Sequence, residues 1–308
     1  MNKRVCIFPG QGSQALGMGI AVADAFEEAA SVFVRAAGIT GYDVYKLCAE
    51  GPLEKLSDTR YTQPALFTAE AAIVDVLRAN GVVFDAAAGH SLGEFAAWYA
   101  SGAIGFEDGL KLVCERGRLM AEADPAGEGT MAAVLGLDYK TVRGICDAVG
   151  GTVVVANINS PLQMVISGTK AAVEEAGILL AEAGAKRVVP LKVSGAFHSP
   201  LMEKARASFD DAVRAVSVVD AEIPVYANVT ALPVISRDEI RRMMVEQLVL
   251  PVRWVDTVVN MIADGIDEAY ELGPGAVLAG LVKRTDERLG VIPVADPATI
   301  ESIVHGES

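Results

Sequence analysis

Apolar runs of strand length alternate along this chain with amphipathic stretches of helical length. The pattern predicts strands at 4–8 and 81–88, and helices at 19–37, 63–79 and 106–123. Such alternation is typical of an α/β domain with a parallel sheet, because each helix returns the chain across the sheet between two strands.

The rhythm changes after a break at residues 124–127. Six shorter elements follow in the order strand, helix, strand, strand, helix, strand, at 130–137, 139–149, 152–158, 163–167, 170–183 and 186–193. That order is the ferredoxin-like unit, for which about seventy residues suffice. We therefore predict a small inserted domain at 126–195, with 1–125 and 196–308 forming one larger α/β core.

The α/β pattern returns after the insertion. Helices are predicted at 200–215, 237–247 and 255–263, and strands at 224–227 and 267–272. The strand at 267–272 is predicted to be the last one, and the segment after residue 297 shows little periodicity.

Composition and charge narrow the class of partner. The chain has 308 residues, of which 52% are hydrophobic, and a formal net charge of −14, which argues against binding nucleic acid or anionic membranes. No uncharged run is apolar enough to span a membrane, and the four cysteines form no metal-ligand pair. Because the apolar run near the N-terminus is too short for a signal-peptide core, we expect a cytoplasmic protein with reduced thiols.

The segment 89–93, Gly-His-Ser-Leu-Gly, carries the strongest chemical signal. Gly-x-Ser-x-Gly between a strand and a helix is the pattern of a strained turn that exposes a serine hydroxyl, here that of Ser91. A helix predicted at 94–100 would direct N–H groups toward a developing oxyanion. The alternative is an ordinary glycine-rich turn.

A serine hydroxyl needs a base, and histidine is the commonest one. His90 adjoins Ser91, where neighbouring side chains diverge, and His305 lies near the chain end. His198 remains, between a predicted strand and a helix that begins near Pro200. His198 is therefore the candidate base, or alternatively a structural residue of a capping loop. No acidic residue lies close to it in sequence, so either a distant carboxylate or a backbone or amide oxygen would orient the ring.

A second glycine-rich loop follows the first strand, at residues 10–15. Its Gly-x-Gly-x-x-Ala spacing satisfies a loose dinucleotide-binding fingerprint, but no second strand ending in an acid follows about twenty residues later. The alternative is an oxyanion hole in which the backbone N–H groups of Gln11 and Leu92 are the two donors.

Arg116 lies beside the apolar stripe of its predicted helix and has no carboxylate at helical spacing, whereas Arg118 can pair with Glu115 and Glu122. A buried arginine needs a partner from elsewhere. That partner is either an acidic residue on another segment or a carboxylate of the substrate, which guanidinium binds bidentately.

Together these segments resemble the malonyl-CoA:acyl carrier protein transacylase family over residues 4–290. The motifs that carry the resemblance are FPGQGSQ at 8–14, YTQPA at 61–65, GHSLGE at 89–94, ERG at 115–117, ANINS at 156–160, GAFHSP at 195–200, QL at 247–248, PVRW at 251–254 and ELGPG at 271–275. Their order and spacing make the match specific.

The resemblance implies a hydrolase-like α/β core with a ferredoxin-like insertion, and a malonyl transfer from malonyl-CoA to acyl carrier protein with no permanently bound cofactor. It implies that Ser91 is the nucleophile and His198 the base. The backbone amides of Gln11 and Leu92 would be the oxyanion donors. Arg116 would bind the malonate carboxylate, and the carbonyl oxygen of Gln247 would orient the base. Asn157 or Asn159 is expected to line the site.

Phe197 precedes the candidate base and is expected to narrow the acyl pocket, which favours malonyl over methylmalonyl groups.

Two other classes of protein share part of this sequence pattern. A serine esterase or thioesterase would share the serine and the base, but would gain nothing from Arg116 with neutral esters. An acyl-CoA-binding module would carry an inert serine.

Overall fold

A computed structural model of the chain describes residues 3–124, 126–193 and 195–306. Its strands, in chain order, are β1 (Lys3–Phe8), β2 (Ala86–Gly89), β3 (Gly129–Leu135), β4 (Val153–Ser160), β5 (Gln163–Thr169), β6 (Arg187–Pro190), β7 (Val225–Tyr226), β8 (Pro233–Val234), β9 (Ile266–Leu272) and β10 (Gly290–Val294).

Helices connect and cover these strands. They are α1 (Ile20–Ala25), α2 (Glu27–Thr40), α3 (Val44–Glu50), α4 (Leu53–Leu56), α5 (Thr59–Ala79), α6 (Gly93–Ala100), α7 (Phe106–Glu122), α8 (Tyr139–Ala148), α9 (Lys170–Glu182), α10 (Glu203–Ala215), α11 (Arg237–Glu246), α12 (Trp254–Ala263), α13 (Val277–Thr285) and α14 (Pro297–His305). None of them, within the described ranges, is both long and apolar enough to cross a membrane.

The larger sheet has the strand order β10-β9-β1-β2-β7-β8, and every pair in it is parallel except β7 with β8. β1 lies at its centre and alternates between two cores. Cys6 and Phe8 belong to the large cluster on one face, while Val5 and Ile7 belong to the cluster on the other. Because successive side chains of a strand point to opposite faces, a fully apolar strand must be covered by helices on both sides. The predicted α/β class is confirmed.

The smaller sheet is antiparallel, with the order β4-β5-β3-β6. The helices α8 and α9 pack on it through a separate apolar cluster that includes Val142 and Leu180. β4 also touches the larger unit, because the N–H of Ile158 donates to the carbonyl of Val252 and the N–H of Val252 donates to that of Ala156. Residues 125 and 194, at the predicted boundaries of the insertion, lie outside the described residues.

Two predicted helices have different limits. The stretch 19–37 is two helices, α1 and α2, because Phe26 has an extended backbone (φ −127°, ψ 130°). One extended residue barely disturbs the apolar pattern, so periodicity suggested a single helix. The helix predicted at 63–79 begins at Thr59, where Asp58 accepts the Arg60 N–H as an N-cap, and Pro64 lies inside it.

The C-terminal part also differs from the prediction. Pro200–Met202 is a short 3-10 turn ahead of α10. The prediction that 267–272 is the last strand is wrong, because β10 follows and pairs with β9 in parallel. The pattern missed β10 because it contains Gly290 and Pro293, and proline is tolerated at the edge of a sheet, where this strand lies. Short elements such as α3 and β8 were not predicted either.

Candidate active site

Ser91 occupies a sharp turn between β2 and α6. Its φ is +53°, in the left-handed region that non-glycine residues rarely adopt. The two flanking glycines allow this turn: a Cβ on Gly89 would lie 2.0 Å from the backbone of Gly93, and one on Gly93 would lie 2.2 Å from the carbonyl oxygen of Phe8. The sequence therefore folds locally into a turn that projects the serine from the end of a buried strand.

The loop after β1 packs directly against this turn. A Cβ on Gly10 would lie 2.4 Å from the carbonyl oxygen of His90, so only glycine permits the approach. Within the described part of the chain, the backbone N–H groups of Gln11 and Leu92 have no hydrogen-bond acceptor. Gln11 lines the same cavity as Ser91.

His198 is buried and reaches Ser91 from the segment just before the 3-10 turn. Its Nε2 lies 2.7 Å from Ser91 Oγ, and its Nδ1 lies 2.6 Å from the carbonyl oxygen of Gln247. A carbonyl oxygen can only accept, so Nδ1 carries the proton and Nε2 presents its lone pair to the hydroxyl. The structure thus brings together the serine and the histidine, and a backbone oxygen occupies the position that a carboxylate holds in other triads.

The imidazole of His198 is held in its neutral form. Burial lowers its pKa from 6.5 to about 3, and the nearby Arg116 cation acts in the same direction, against the hydrogen bond to Gln247. A lowered pKa means that the ring stays unprotonated well below the pH at which an ordinary histidine would charge.

We expect the Cε1–H proton resonance of His198 not to titrate between pH 8 and pH 5, because the folded-state pKa lies below this window. NMR titration of the three histidines measures this directly, and the spectrum of His198→Ala assigns the signal. A midpoint near 6.5 for His198 would contradict the burial argument.

Arg116 lies on α7 and is fully buried. Its Nη1 donates to Gln63 Oε1 at 2.8 Å, and its Nη2 donates to Gln247 Oε1 at 2.7 Å and to Ser91 Oγ at 3.2 Å. Its Nε has no partner among the described residues. Burial lowers the pKa of Arg116 to about 10, so the guanidinium remains charged at neutral pH. Arg118, two residues further along α7, forms the predicted surface pairs with Glu115 and Glu122.

The cavity over Ser91 has a volume of about 170 Å³. Asn157, Asn159 and Phe197 all line it, as do His90 and Met131. Asn159 Oδ1 lies 2.8 Å from His90 Nε2, so that histidine is bonded to a residue of β4. Both asparagines, rather than one of them, therefore belong to the wall of the cavity.

Three polar residues around the site were missed by the sequence argument. Gln63 bonds to Arg116, while Asn228 and Glu94 support the serine turn from behind. Gln63 and Glu94 stand in segments that the motif comparison singled out, but nothing in the sequence connects Asn228 to a serine 137 positions away. Across the described ranges, no group of three or more metal-binding side chains is present.

An α/β sheet that presents a serine at a strained strand-to-helix turn, bonded to a neutral imidazole, is the arrangement of enzymes that work through a serine ester. The structure therefore indicates an enzyme of serine-dependent acyl transfer, a class that includes transferases and hydrolases.

Comparison with known proteins distinguishes a transferase from a hydrolase. Residues 5–303 match the family described as the acyl transferase domain. A malonyl CoA-acyl carrier protein transacylase of Bacillus subtilis (strain 168) is 43% identical over 308 residues, covering 99% of this chain and 97% of that protein. The protein of the same description from Escherichia coli (strain K12) is 40% identical and covers 99% of this chain and 100% of its own length.

Solved structures agree with these relatives. The crystal structure of an acyl carrier protein S-malonyltransferase from Vibrio cholerae is 41% identical, with a TM-score of 0.95 over 98% of this chain and 99% of that chain. A malonyl-transacylase in complex with its type II PKS acyl-carrier protein is 40% identical, with a TM-score of 0.95 over 99% of both chains. The chain belongs to the acyl transferase family, as one of its malonyl-CoA:acyl carrier protein transacylases, which confirms the predicted resemblance.

Proposed function

We propose that this enzyme transfers a malonyl group from malonyl-CoA to the phosphopantetheine thiol of acyl carrier protein, through an ester on Ser91, for fatty acid or polyketide synthesis. The main support for this proposal is the position of the Ser91 hydroxyl. The hydroxyl of Ser91 lies 2.7 Å from the basic nitrogen of His198 and 3.2 Å from the buried cation of Arg116. A nucleophile placed between a base and a carboxylate-binding group suits an acyl donor that carries its own carboxylate.

In the first half-reaction, Ser91 Oγ attacks the thioester carbonyl while His198 Nε2 takes the hydroxyl proton. The backbone N–H groups of Gln11 and Leu92 stabilise the tetrahedral oxyanion, each worth about 3 kcal/mol. The carbon–sulfur bond then breaks, and His198 returns the proton to the departing CoA thiolate. The product is a malonyl ester of Ser91.

In the second half-reaction the thiol of the carrier's phosphopantetheine arm loses its proton to His198 and attacks the ester carbonyl. The same two N–H groups stabilise the second oxyanion, and the ester bond breaks as His198 returns the proton to Ser91 Oγ. Before each attack the carbonyl oxygen of Gln247 holds the imidazole in the tautomer that has Nε2 free, because it accepts the Nδ1 proton. No permanently bound cofactor enters either step.

Arg116 selects the acyl group in this scheme. Its unpartnered Nε and the Nη2 that faces Ser91 can both donate to the free carboxylate of the malonyl group. Phe197, with Asn157 and Asn159, bounds the space around the acyl chain. In a cavity this small, the aromatic ring would leave little room for the branch of a methylmalonyl group.

The two sheets would divide this work. We place the nucleophile and the base on the α/β core of residues 1–125 and 196–308. Residues 126–195 would form a ferredoxin-like insertion, in keeping with the β4-β5-β3-β6 order and with the packing of α8 and α9. The insertion supplies Asn157 and Asn159 to the cavity, so that the acyl group would bind where the two units meet.

Transfer and hydrolysis are distinguished by what resolves the acyl ester. With malonyl-CoA and a holo acyl carrier protein, we expect malonyl-carrier as the main product and parallel lines in double-reciprocal plots, because the two substrates react in separate steps. Without carrier, release of free malonate should be far slower. Malonate release that is equally fast with and without carrier would instead identify a thioesterase.

A further inference from the structure

A buried carboxylate stands behind the serine turn, outside the cavity wall. Glu94, the second residue of α6, is fully buried. Its Oε1 accepts the backbone N–H of Asn228 at 2.6 Å and the Nδ2 of Asn228 at 3.0 Å, and its Oε2 accepts Gln247 Nε2 at 2.5 Å. All three contacts come from N–H donors, which favour the ionised carboxylate, since that group can only accept. They and the charge of Arg116 act against burial, which raises the pKa of Glu94 to about 7.

Asn228 connects Glu94 to the turn that carries Ser91. Its Oδ1 accepts the backbone N–H of Ser91 at 2.7 Å, and its Nδ2 donates to the carbonyl oxygen of Gly89 at 2.6 Å. One side-chain amide therefore holds both sides of the turn in which Ser91 has a positive φ. A non-glycine residue keeps such a conformation only where its surroundings fix it, and Glu94 anchors Asn228 through two bonds.

Gln247 connects Glu94 to Arg116. Its amide lies between a guanidinium that can only donate and a carboxylate that can only accept. The amide is consequently fixed in one orientation, with its oxygen toward Arg116 Nη2 and its nitrogen toward Glu94 Oε2. The backbone oxygen of the same Gln247 receives the Nδ1 proton of His198, so this residue holds both the cation and the base.

The same residues also offset the buried positive charge of Arg116. In the part of the chain that the structure describes, Arg116 forms no direct ion pair. Glu94 is the carboxylate whose charge favours the protonated form of Arg116, acting from the far side of Gln247. A direct ion pair would occupy the N–H groups that face the cavity. A carboxylate separated by one amide can instead offset the buried charge while Nε keeps no partner and Nη2 faces only the hydroxyl of Ser91 on the cavity side.

We infer that Glu94 is a positioning residue that sets the preference for dicarboxylic acyl groups, by fixing Arg116 through Gln247 and the Ser91 turn through Asn228. This inference rests on the proposed malonyl transfer. It assigns Glu94 no contact with substrate: its effect reaches the acyl group only through the two amides.

The test compares Glu94→Gln with a swapped pair, Glu94→Gln/Gln247→Glu. In the single variant an N–H of the new amide meets Gln247 Nε2, and rotating the Gln247 amide to relieve that contact turns its N–H groups toward Arg116. In the swapped pair the glutamine at 94 donates to the new carboxylate, which still accepts from Arg116. Hydrogen-bond polarity among residues 94, 247 and 116 is restored, but the long bond (3.3 Å) from Gln247 Nε2 to the carbonyl oxygen of Ser91 is lost. The carboxylate also now pairs directly with the guanidinium.

The readout is kcat/KM for malonyl-CoA and for acetyl-CoA with one holo carrier. We expect Glu94→Gln to lower the malonyl value about 100-fold and the acetyl value about 10-fold or less, so that the ratio falls. The swapped pair should recover acetyl transfer to within about 10-fold of the unmodified enzyme, while malonyl transfer stays at least about 10-fold low with a raised KM. Glu70→Gln, a matched change of a buried glutamate on α5, should leave the ratio unchanged.

A malonyl-to-acetyl ratio in Glu94→Gln equal to that of the unmodified enzyme would overturn the inference, as would a swapped pair that restores malonyl and acetyl transfer together. Failure of the proposed function is a separate result, because the unmodified enzyme would then form no malonyl-carrier in the same assay.

Discussion

Replacing Ser91 or His198 by alanine is expected to lower malonyl transfer by about 10⁴-fold or more, and the double variant is expected to be no slower than either single one. Without Oγ no ester can form, and without the imidazole the hydroxyl keeps its proton at neutral pH. The two side chains act as one unit across a 2.7 Å hydrogen bond, so neither contributes to catalysis once the other has been removed.

Steady-state transfer to a holo carrier measures this effect. Ser101→Ala and His305→Ala serve as matched controls, because Ser101 is a buried serine bonded to the Trp98 carbonyl and His305 lies in the last turn of α14. Both should retain near-normal rates. Losses in the two active-site variants that multiply in the double variant would mean that Ser91 and His198 act independently.

Arg116→Ala is expected to lower kcat/KM for malonyl-CoA by about 10³-fold while acetyl transfer is kept or increased. The guanidinium contributes charge-assisted hydrogen bonds only to an acyl group that ends in a carboxylate. An acetyl group offers this cation no carboxylate, and removal of the side chain leaves a larger, less polar cavity.

Arg118→Ala is the matched control for this change. It lies two residues away on α7 but pairs with Glu115 and Glu122 at the surface, where ion pairs contribute little. Its malonyl-to-acetyl ratio should equal that of the unmodified enzyme. An equal loss of malonyl and acetyl transfer in Arg116→Ala would show that the arginine is structural.

Local chemistry explains which parts of the site could be predicted from sequence. The Ser91 turn requires two glycines in its own backbone, so five consecutive residues indicated it, although an ordinary glycine-rich turn remained the alternative. Arg116 was singled out because helical spacing left it without a carboxylate, and its observed partners are indeed amides and a hydroxyl rather than acids. Only three histidines were available, so elimination led to His198.

Contacts between distant segments could not be derived in this way. The carbonyl of Gln247 is a backbone group, which carries no signature in sequence, and it entered only through family resemblance. Asn228 and Glu94 interact across 134 positions, and either would be unremarkable as a polar residue near a turn. The fold shows the same limit: β1 was predicted from its own apolar run, whereas β10 forms because β9 offers an unpaired edge.

In the proposed mechanism the malonyl group passes through an ester on Ser91. Intact-mass spectrometry of the enzyme after mixing with malonyl-CoA, without carrier, tests it most directly. We predict an added mass of one malonyl group that disappears when holo carrier is supplied and never forms in Ser91→Ala. An adduct that persists in Ser91→Ala, or its absence from an unmodified enzyme that transfers malonyl at full rate, would contradict the account.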